Sequence, residues 1–307
     1  MTITEIVNQN PKPKHVRLVT HKCNFHSDDV FATALLWLYL VYKGIDPVLI
    51  RTFTPKEDGY TDDTPNTIVY DIGLGQYDHH QVGDDAKHCI RIDKCVNREG
   101  EEYTVERKYA AVGLIWKEIG SDIVGKYADA VYDGIIRYID DHDNGNGHNP
   151  LSTLIGNMNP LNTALDEDYD HQFNNAVSIA MDLLNFTIDK YINMINNEER
   201  IRKFIEGEAY LLTPEFIPGA DDVCRELKIP FYVYPNVRGG YCFKTICPDP
   251  KDMSKHFIDI PDDVRTWPGV TFLHPSRFLG SAETKERACE ICETLFRWHV
   301  FDNGNKL

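Results

Sequence analysis

The chain has 307 residues, of which 42% are hydrophobic, and its formal net charge is −16. A chain of this length and apolar content can bury one or two cores, so disordered and fibrous classes are excluded and two domains are expected. The negative charge repels polyanions, so any nucleotide or nucleic-acid substrate must be held by metal ions and a local basic patch. Tight binding to long duplex DNA is not expected.

The beginning of the chain lacks a basic leader followed by an apolar segment, and Glu5 argues against an acid-poor transit peptide. The apolar run 30–42 is too short to span a bilayer and contains Thr33, so it is interpreted as a buried helix. We expect no membrane association and a cytoplasmic protein, with nuclear or mitochondrial residence left open. The eight cysteines have no disulfide-scaffold spacing, so reduced thiols are expected.

In the first half of the chain, short β-branched segments alternate with segments of helical spacing. The predicted strands are 15–20, 48–53 and 67–71, and the predicted helices are 28–42, 109–119 and 123–139. This alternation predicts an α/β domain with a mainly parallel sheet and helices on both faces. Ligands of such sheets gather where strands end, so the residues after positions 20 and 69 are the first candidates for a site.

The character of the chain changes after Pro150. Apolar residues recur at helical spacing over 174–206, and strand-like runs then alternate with Pro and Gly before a final helical segment at 284–298. We therefore predict a catalytic domain at 1–160, followed at 161–307 by a long linking helix and a smaller α+β C-terminal domain.

The first cluster of polar residues follows the strand 15–20 and comprises His21, His26, Asp28 and Asp29. One interpretation is helix capping by Ser27 or Asp28 together with an acidic first turn. Capping accounts for one carboxylate or hydroxyl, but not for two imidazoles and two carboxylates. The alternative interpretation is a metal site.

The second cluster follows the strand 67–71 and comprises Asp71, Asp78, His79 and His80. Adjacent histidines on a regular strand point to opposite faces, so both serve one site only if the backbone leaves the sheet. The nearby glycines at 73 and 75 make that departure easy. The alternative, a polar surface loop, rarely needs this combination beside a buried strand.

The third cluster, with Asp140 and Asp143, ends a predicted helix. An ordinary helix stop is one explanation, because Asp-Asn-Gly is a common turn sequence. However, acidic residues at a helix C-terminus face the unfavourable end of the dipole, so a positive charge should compensate them. A metal ion would do so.

Imidazoles and carboxylates without paired thiolates suit Mn²⁺ or Mg²⁺. Two such ions, separated by about 3.5 to 4 Å, can bridge a phosphate and activate water, which is the chemistry of phosphoester hydrolysis. The lone pair Cys289 and Cys292 is instead interpreted as packed thiols, because no second pair stands at zinc-site spacing.

The sequence resembles the DHH phosphoesterase superfamily, and in particular its melanocyte-proliferating-gene branch. The resemblance rests on the segments at 20–21, 25–29, 69–73, 77–81, 140–145 and 272–280, which occur in family order over nearly the whole chain. It implies a DHH-type N-terminal domain and a C-terminal substrate-binding domain that closes over a metal cleft.

The resemblance also implies roles for individual residues. Asp71 would bridge two ions, His80 would face the scissile phosphate as a catalytic residue, and Asp78 would orient the histidine pair. Asp143 matches the branch pattern as well as Asp140 does, and Asp29 is a further candidate for a ligand or a supporting residue. The implied metal ligands are His21, His26, Asp28, Asp71, His79 and Asp140.

Three positions depart from the branch pattern. The branch usually has Asn-Gly where Lys22 and Cys23 stand, Glu where Asp29 stands, and Gly where Arg277 stands. None of these changes removes an implied ligand. We expect His274 and Arg277 to hold substrate phosphate.

The leading hypothesis is a Mn²⁺-dependent phosphodiesterase that acts on RNA or a short single-stranded oligonucleotide, as a 3′ to 5′ exonuclease. A pyrophosphatase or small-nucleotide phosphoesterase would use the same metal-binding residues. A third hypothesis, from a different class, is a metal-stabilised binding protein without turnover. The sequence leaves the oligomeric state open, a homodimer included.

Overall fold

A computed structural model describes residues 1–161 and 165–304. The chain divides into two compact units, Met1–Asp189 and Lys190–Leu307, and the division falls inside a long helix. The helices are α1 (Ile3–Val7), α2 (Ser27–Tyr42), α3 (Ala111–Val124), α4 (Ala128–Val131), α5 (Arg137–Asp143), α6 (Pro150–Gly156), α7 (Asp166–Arg202), α8 (Ala220–Glu226) and α9 (Lys285–Gly304). The strands are β1 (His15–His21), β2 (Asp46–Thr52), β3 (Thr67–Val69), β4 (Ile90–Val96), β5 (Glu102–Lys108), β6 (Tyr210–Leu212), β7 (Phe231–Pro235), β8 (Tyr241–Thr245), β9 (Val270–Leu273) and β10 (Leu279–Ala282).

The first unit contains the predicted parallel sheet, with strand order β2-β1-β3. The central strand β1 is buried from Leu18 to Thr20, as expected for a strand with neighbours on both sides. The α/β fold class with a parallel sheet is therefore confirmed. Because parallel strands end at the same edge, the segments that follow β1 and β3 emerge side by side.

Helix α2 forms from the apolar run that we interpret as a buried helix. Its residues from Ser27 to Leu36 are all buried, which is the expected environment of a helix that is apolar on every side. It packs against β1, β2, α3, α5 and α6. Within the described ranges, no helix combines the length and apolar character needed to cross a membrane.

The predicted helix 123–139 is wrong as a single element. Helix α3 continues to Val124, and Gly125, with φ of 53°, turns the chain out of it. A short α4 and a π-helical segment, Tyr132–Ile136, then lead into α5. A π turn adds a residue to the helical repeat, so it shifts which side chains of α5 face the interior.

The antiparallel hairpin β4–β5 was not predicted. Its first strand buries the charged residues Arg91 and Asp93, while Ile92 and Val96 are exposed. This is the reverse of the usual arrangement, in which apolar residues of a strand face the interior. Periodicity of apolar residues therefore could not identify this hairpin.

The second unit contains a separate sheet of order β6-β7-β8-β10-β9, as the predicted C-terminal domain requires. Strand β6 runs parallel to β7, and the other pairs are antiparallel. Phe231 and Val233 pack with α9 residues, whereas Tyr232 between them packs with α8 residues. This alternation places a helix on each face of the sheet. The assignment of substrate binding to residues 161–307 stays a prediction.

Candidate metal centre

The edge of the parallel sheet brings the first two clusters together. Strand β1 ends at His21, and Asp71 follows β3 after one residue. The Nε2 atom of His21 lies 3.3 Å from an oxygen of Asp71 and 3.2 Å from an oxygen of Asp29. Each of these three side chains offers one possible ligand atom, and the three atoms lie within 4.8 Å of one another.

The backbone leaves the sheet directly after β3. Asp71 and Leu74 have left-handed φ angles of 56° and 57°, and Gly73 has φ of 89°. The chain then returns, so that His79 and His80 lie with their ring centroids 4.2 Å apart. This irregular path allows adjacent histidines to serve one site, which a regular strand would prevent.

A second group forms around His79. Its Nε2 atom lies 2.9 Å from Asp143, and its Nδ1 atom lies 3.6 Å from Asp71 and 3.8 Å from Asp28. Asp28 also accepts hydrogen bonds of 2.9 and 2.7 Å from the N–H groups of Ala111 and Val112, at the start of α3. Asp28, His79 and Asp143 converge as possible ligands of one ion.

His80 and Asp78 form a dyad beside this group. The Nδ1 atom of His80 lies 2.7 Å from Asp78 Oδ1, and Asp78 also accepts from the N–H groups of Leu74 and His80. Burial opposes ionisation of Asp78, but these hydrogen bonds outweigh it and lower the Asp78 pKa. The hydrogen bond with Asp78 raises the pKa of His80.

Asp140 does not join either ligand group. Its carboxylate is fully buried, accepting from the Ala110 N–H at 3.1 Å, from the Tyr132 hydroxyl at 2.7 Å and from Arg91 at 3.1 Å. Burial raises the Asp140 pKa to about 7 against the effect of these donors. The structure therefore places Asp143, and not Asp140, beside His79.

The remaining sequence-predicted residues, His26, His274 and Arg277, are not members of either ligand group. His26 is exposed and lines the cavity over the groups, with its ring centroid 6.1 Å from that of His21. His274 and Arg277 belong to the second unit, on the turn between β9 and β10, where the Arg277 N–H donates to the His274 carbonyl at 2.8 Å. Arg277 has a left-handed φ of 56°.

Helix capping explains only part of the first cluster. Ser27 donates its hydroxyl to Ser152, and Asp28 binds the start of α3, so neither residue that we named as a cap serves α2. Asp29 takes that role with one oxygen, which accepts from the His26 N–H at 2.8 Å. Its second oxygen is the one that faces His21.

The groups carry an excess of buried negative charge. Burial raises the pKa of Asp28, with Asp71 and Asp143 adding to it, and burial raises the Asp29 pKa to about 7 despite His21. Burial alone would lower the pKa of His21, but the hydrogen bond and charge of Asp71, together with Asp29, raise it to about 9. Burial and the mutual repulsion of the carboxylates therefore favour their protonated forms.

The donor set fits divalent cations. Among the described residues, three buried atoms of these groups make no hydrogen bond: Asp29 Oδ2, Asp71 Oδ1 and His79 Nδ1. Unpaired buried polar atoms are costly, and carboxylate oxygens with imidazole nitrogens are the ligands of Mn²⁺ and related ions. A cavity of about 370 Å³ adjoins the groups and is lined by His21, His26, Asp71, Ile72, Gly73, Asp78, His80 and Asp143.

Sequence reasoning missed the hairpin residues that surround the third cluster. Arg91 contacts Asp140 and Asp141, and the Lys108 ammonium donates to the carbonyls of His79 and Gln81 at 3.4 and 3.2 Å. The signal in the sequence was the concentration of charged residues at 91, 93 and 94 and at 106–108. The role of these charged residues depends on which partners the fold brings beside them.

Comparison with known proteins identifies relatives over most of the chain. The human MYG1 exonuclease (Homo sapiens) is 23% identical over 332 residues, covering 90% of this chain and 84% of the relative. The MYG1 protein of Dictyostelium discoideum is 23% identical, with 88% and 93% covered, and that of Saccharomyces cerevisiae is 21% identical, with 90% and 94% covered.

Solved structures give a weaker likeness. The crystal structure of RecJ from Thermus thermophilus in complex with Mg²⁺ aligns with a TM-score of 0.29 at 13% identity, covering 91% of this chain. This chain spans 49% of that RecJ chain. The crystal structure of exonuclease RecJ bound to manganese gives a TM-score of 0.29 at 13% identity, with 92% and 89% covered. These scores carry no conclusion about fold or activity.

A family model gives the decisive match. The model MYG1_exonuc, described as uncharacterised protein family UPF0160, matches residues 17–210, which is well over half of the chain. That range includes every described member of the two ligand groups. The chain therefore belongs to the MYG1_exonuc family.

Proposed function

We propose that this chain is a divalent-metal-dependent hydrolase of phosphodiester bonds in nucleic acid. The observation that carries the proposal is the position of Asp71 between two ligand groups. One of its oxygens lies 3.3 Å from His21 and the other 3.6 Å from His79. A carboxylate placed in this way can serve two neighbouring cations.

We assign His21 and Asp29 to one ion, and Asp28, His79 and Asp143 to the other, with Asp71 shared by both and Mn²⁺ or Mg²⁺ as the metal. Ions at such a site polarise a phosphate and lower the pKa of a bound water. Asp143 takes the place that we first gave to Asp140. His26, which is exposed at the rim, is assigned to substrate or to an outer coordination position.

His80 and Asp78 are assigned to proton handling. Asp78 engages Nδ1 of His80, so Nε2 is the ring nitrogen that remains to hold or transfer a proton at a substrate oxygen. The ionised Asp78 favours a protonated His80, which suits a group that faces phosphate or protonates a leaving oxygen. Asp78 acts through His80 and is a positioning residue.

The substrate class follows from charge and from the relatives. Human, rat and bovine relatives carry the name MYG1 exonuclease, which supports a nucleic-acid substrate cut from an end. The net charge of −16 favours short or single-stranded substrates over long duplexes. We propose RNA or single-stranded DNA as substrate, degraded from 3′ to 5′.

The second unit is proposed to hold the substrate. The Nδ1 atom of His274 accepts from the Ser276 N–H at 3.1 Å, so its Nε2 remains for an external anion, and Arg277 is its neighbour on the same turn. The His274 ring packs against Phe278, with centroids 4.5 Å apart, and Phe272 is 48% exposed. Exposed aromatic rings beside cationic groups suit unpaired bases and phosphates.

The test is hydrolysis of 5′-labelled RNA and DNA oligomers while Mn²⁺ is titrated in, with Asp71→Asn as the inactive control. Degradation from the 3′ end leaves a ladder of shortening labelled products, whereas degradation from the 5′ end releases the labelled nucleotide at once. A ladder that depends on Mn²⁺ and is absent in the variant supports the proposal. Equal activity of wild type and variant would overturn it.

Two alternatives are separated by the same assay. Rapid hydrolysis of pyrophosphate with intact oligomers would identify a small-anion phosphoesterase, which the same ligand groups could serve. A rise in melting temperature with Mn²⁺ but no hydrolysis of either substrate would identify a metal-stabilised binding protein.

A further inference from the structure

Arg91 is a buried cation that belongs to neither ligand group. Its side chain is only 4% exposed and lies on the inner face of the hairpin β4–β5. One of its terminal nitrogens, Nη1, lies 3.1 Å from Asp140 and also contacts the Tyr132 hydroxyl, and the other contacts Asp141. The guanidinium thus binds two consecutive carboxylates of α5 at once.

Asp140 links this cation to the start of α3. Its second oxygen accepts from the Ala110 N–H, and Asp28 accepts from the next two N–H groups, those of Ala111 and Val112. The two aspartates therefore share the three N–H groups at the beginning of one helix, which is a favourable location for negative charge. The position of Asp28 depends on that helix start, and Asp140 fixes it.

Asp141 and Asp140 also fix α5, the helix that ends with Asp143. Asp143 stands less than one helical turn beyond Asp140, and its carboxylate reaches His79 at 2.9 Å. A rotation of α5 about its axis would move Asp140 and Asp143 together. The contacts of Arg91 oppose such a rotation.

We propose that Arg91 is the positioning residue of the metal centre, holding Asp140 and Asp141 so that Asp28 and Asp143 face His79. The inference rests on the proposed metal site and adds to it a residue outside the ligand set. Position 91 requires arginine for this role. A planar guanidinium binds two carboxylates and a hydroxyl in a fixed geometry, which an ammonium group cannot do.

The position of the Asp140 carboxylate is restricted from the opposite side as well. Gly113, in the first turn of α3, has no side chain, and a Cβ there would collide with both carboxylate oxygens of Asp140. The carboxylate therefore lies between the bare backbone of α3 and the guanidinium of Arg91. Loss of the cation would leave a buried carboxylate without its charged partner, which favours its displacement.

The test compares the Mn²⁺ affinities of wild type, Arg91→Met and Arg137→Met. The concentration of free Mn²⁺ is measured by electron paramagnetic resonance. Arg137 is the control, because its side chain forms ion pairs with Asp93 and Asp133 in the same charged network and none with Asp140 or Asp141. We expect Arg91→Met to lose about 10-fold to 100-fold in Mn²⁺ affinity, as when a partner that orients ligands is removed. Arg137→Met should bind as wild type does.

Melting temperatures without metal separate positioning from general destabilisation. If both variants lose similar stability and only Arg91→Met loses affinity, the proposal holds. Equal Mn²⁺ affinity in wild type and Arg91→Met, or an equal loss in both variants, would overturn it.

If Arg91→Met does not fold, two milder variants replace it. Arg91→Lys keeps the charge but cannot bridge both carboxylates, and Tyr132→Phe removes one donor to Asp140. Each should weaken Mn²⁺ binding by a smaller factor, and wild-type affinity in both would refute the proposal. A wild type that binds Mn²⁺ without cutting nucleic acid would overturn only the proposed function, whereas one that binds no divalent ion would overturn both.

Discussion

The Nε2 atom of His79 lies 2.9 Å from an oxygen of Asp143, whereas Asp140 on the same helix turns its carboxylate toward the start of α3. Residues three apart on a helix share a face, so the two aspartates could equally have pointed into one site. They differ because Asp140 lies inside α5, and Asp143 is its last residue.

This relationship predicts different effects of two isosteric changes. Asp143→Asn should lower Mn²⁺ affinity at least about tenfold, because it removes a charged ligand. Asp140→Asn keeps the ligand set and should lower the free energy of unfolding more than Asp143→Asn does, since it removes the charge of one of the buried partners of Arg91. Metal titration and urea unfolding of the two variants check this. A larger affinity loss in Asp140→Asn than in Asp143→Asn would contradict the assignment.

Substitution of Asp71 by asparagine should remove a metal ligand without disturbing the fold. Its φ of 56° lies in the left-handed region, which asparagine tolerates better than other side chains except glycine. Asp71→Asn should therefore abolish Mn²⁺ binding without lowering the melting temperature of metal-free protein, whereas Asp71→Ala should cost about 1 kcal/mol more in backbone strain. Thermal unfolding in chelator compares the two variants, and equal stability of both would remove the strain argument.

Cys23 has φ of 62°, which lies in the left-handed region that favours glycine. Glycine adopts this conformation without a steric cost, so Cys23→Gly should raise the free energy of unfolding by up to about 1 kcal/mol. Cys95→Gly is the matched control, because that cysteine lies within strand β4, and the change there should destabilise. Denaturant unfolding of both variants tests the prediction, which fails if Cys23→Gly is less stable than wild type.

Gly113→Ala should disturb the metal centre from the side opposite to Arg91. The added methyl would collide with the Asp140 carboxylate, so we expect lower stability and weaker Mn²⁺ binding, although alanine is the better helix former. Gly156→Ala is the control, because its Cβ would meet no atom within 4 Å. A Gly113→Ala protein that matches wild type in both measurements would show that Asp140 has room to move.

Metal removal should leave the protein folded. The cores of both units are built from apolar side chains, so chelator-treated protein should keep a cooperative thermal transition. Saturating Mn²⁺ should stabilise it by about 2.7 kcal/mol at a hundredfold excess over the dissociation constant, through binding to the folded state alone. Calorimetry with and without chelator measures this. Loss of the transition in chelator would mean that the metal supports the fold itself.

The sequence by itself determined the parallel sheet, the buried helix α2 and the two polar clusters at the ends of β1 and β3. Apolar periodicity is a local property of the chain, and the ends of parallel strands must meet at one edge of a sheet. For that reason, the sequence alone predicts that residues as distant along the chain as His21 and His79 belong to one site. The site assignment itself stays a prediction.

Only the tertiary structure placed Asp143, and not Asp140, beside His79 and gave Arg91 its partners. Asp143 is the last residue of α5 whereas Asp140 lies inside it, and Arg91 reaches Asp140 from the inner face of the hairpin β4–β5. Buried charged pairs leave no periodic apolar signal in the sequence. A charged residue can be buried only beside a partner of opposite charge, and folding alone brings that partner near. That is why the ligand clusters could be read from the chain, whereas the contacts that orient them could not.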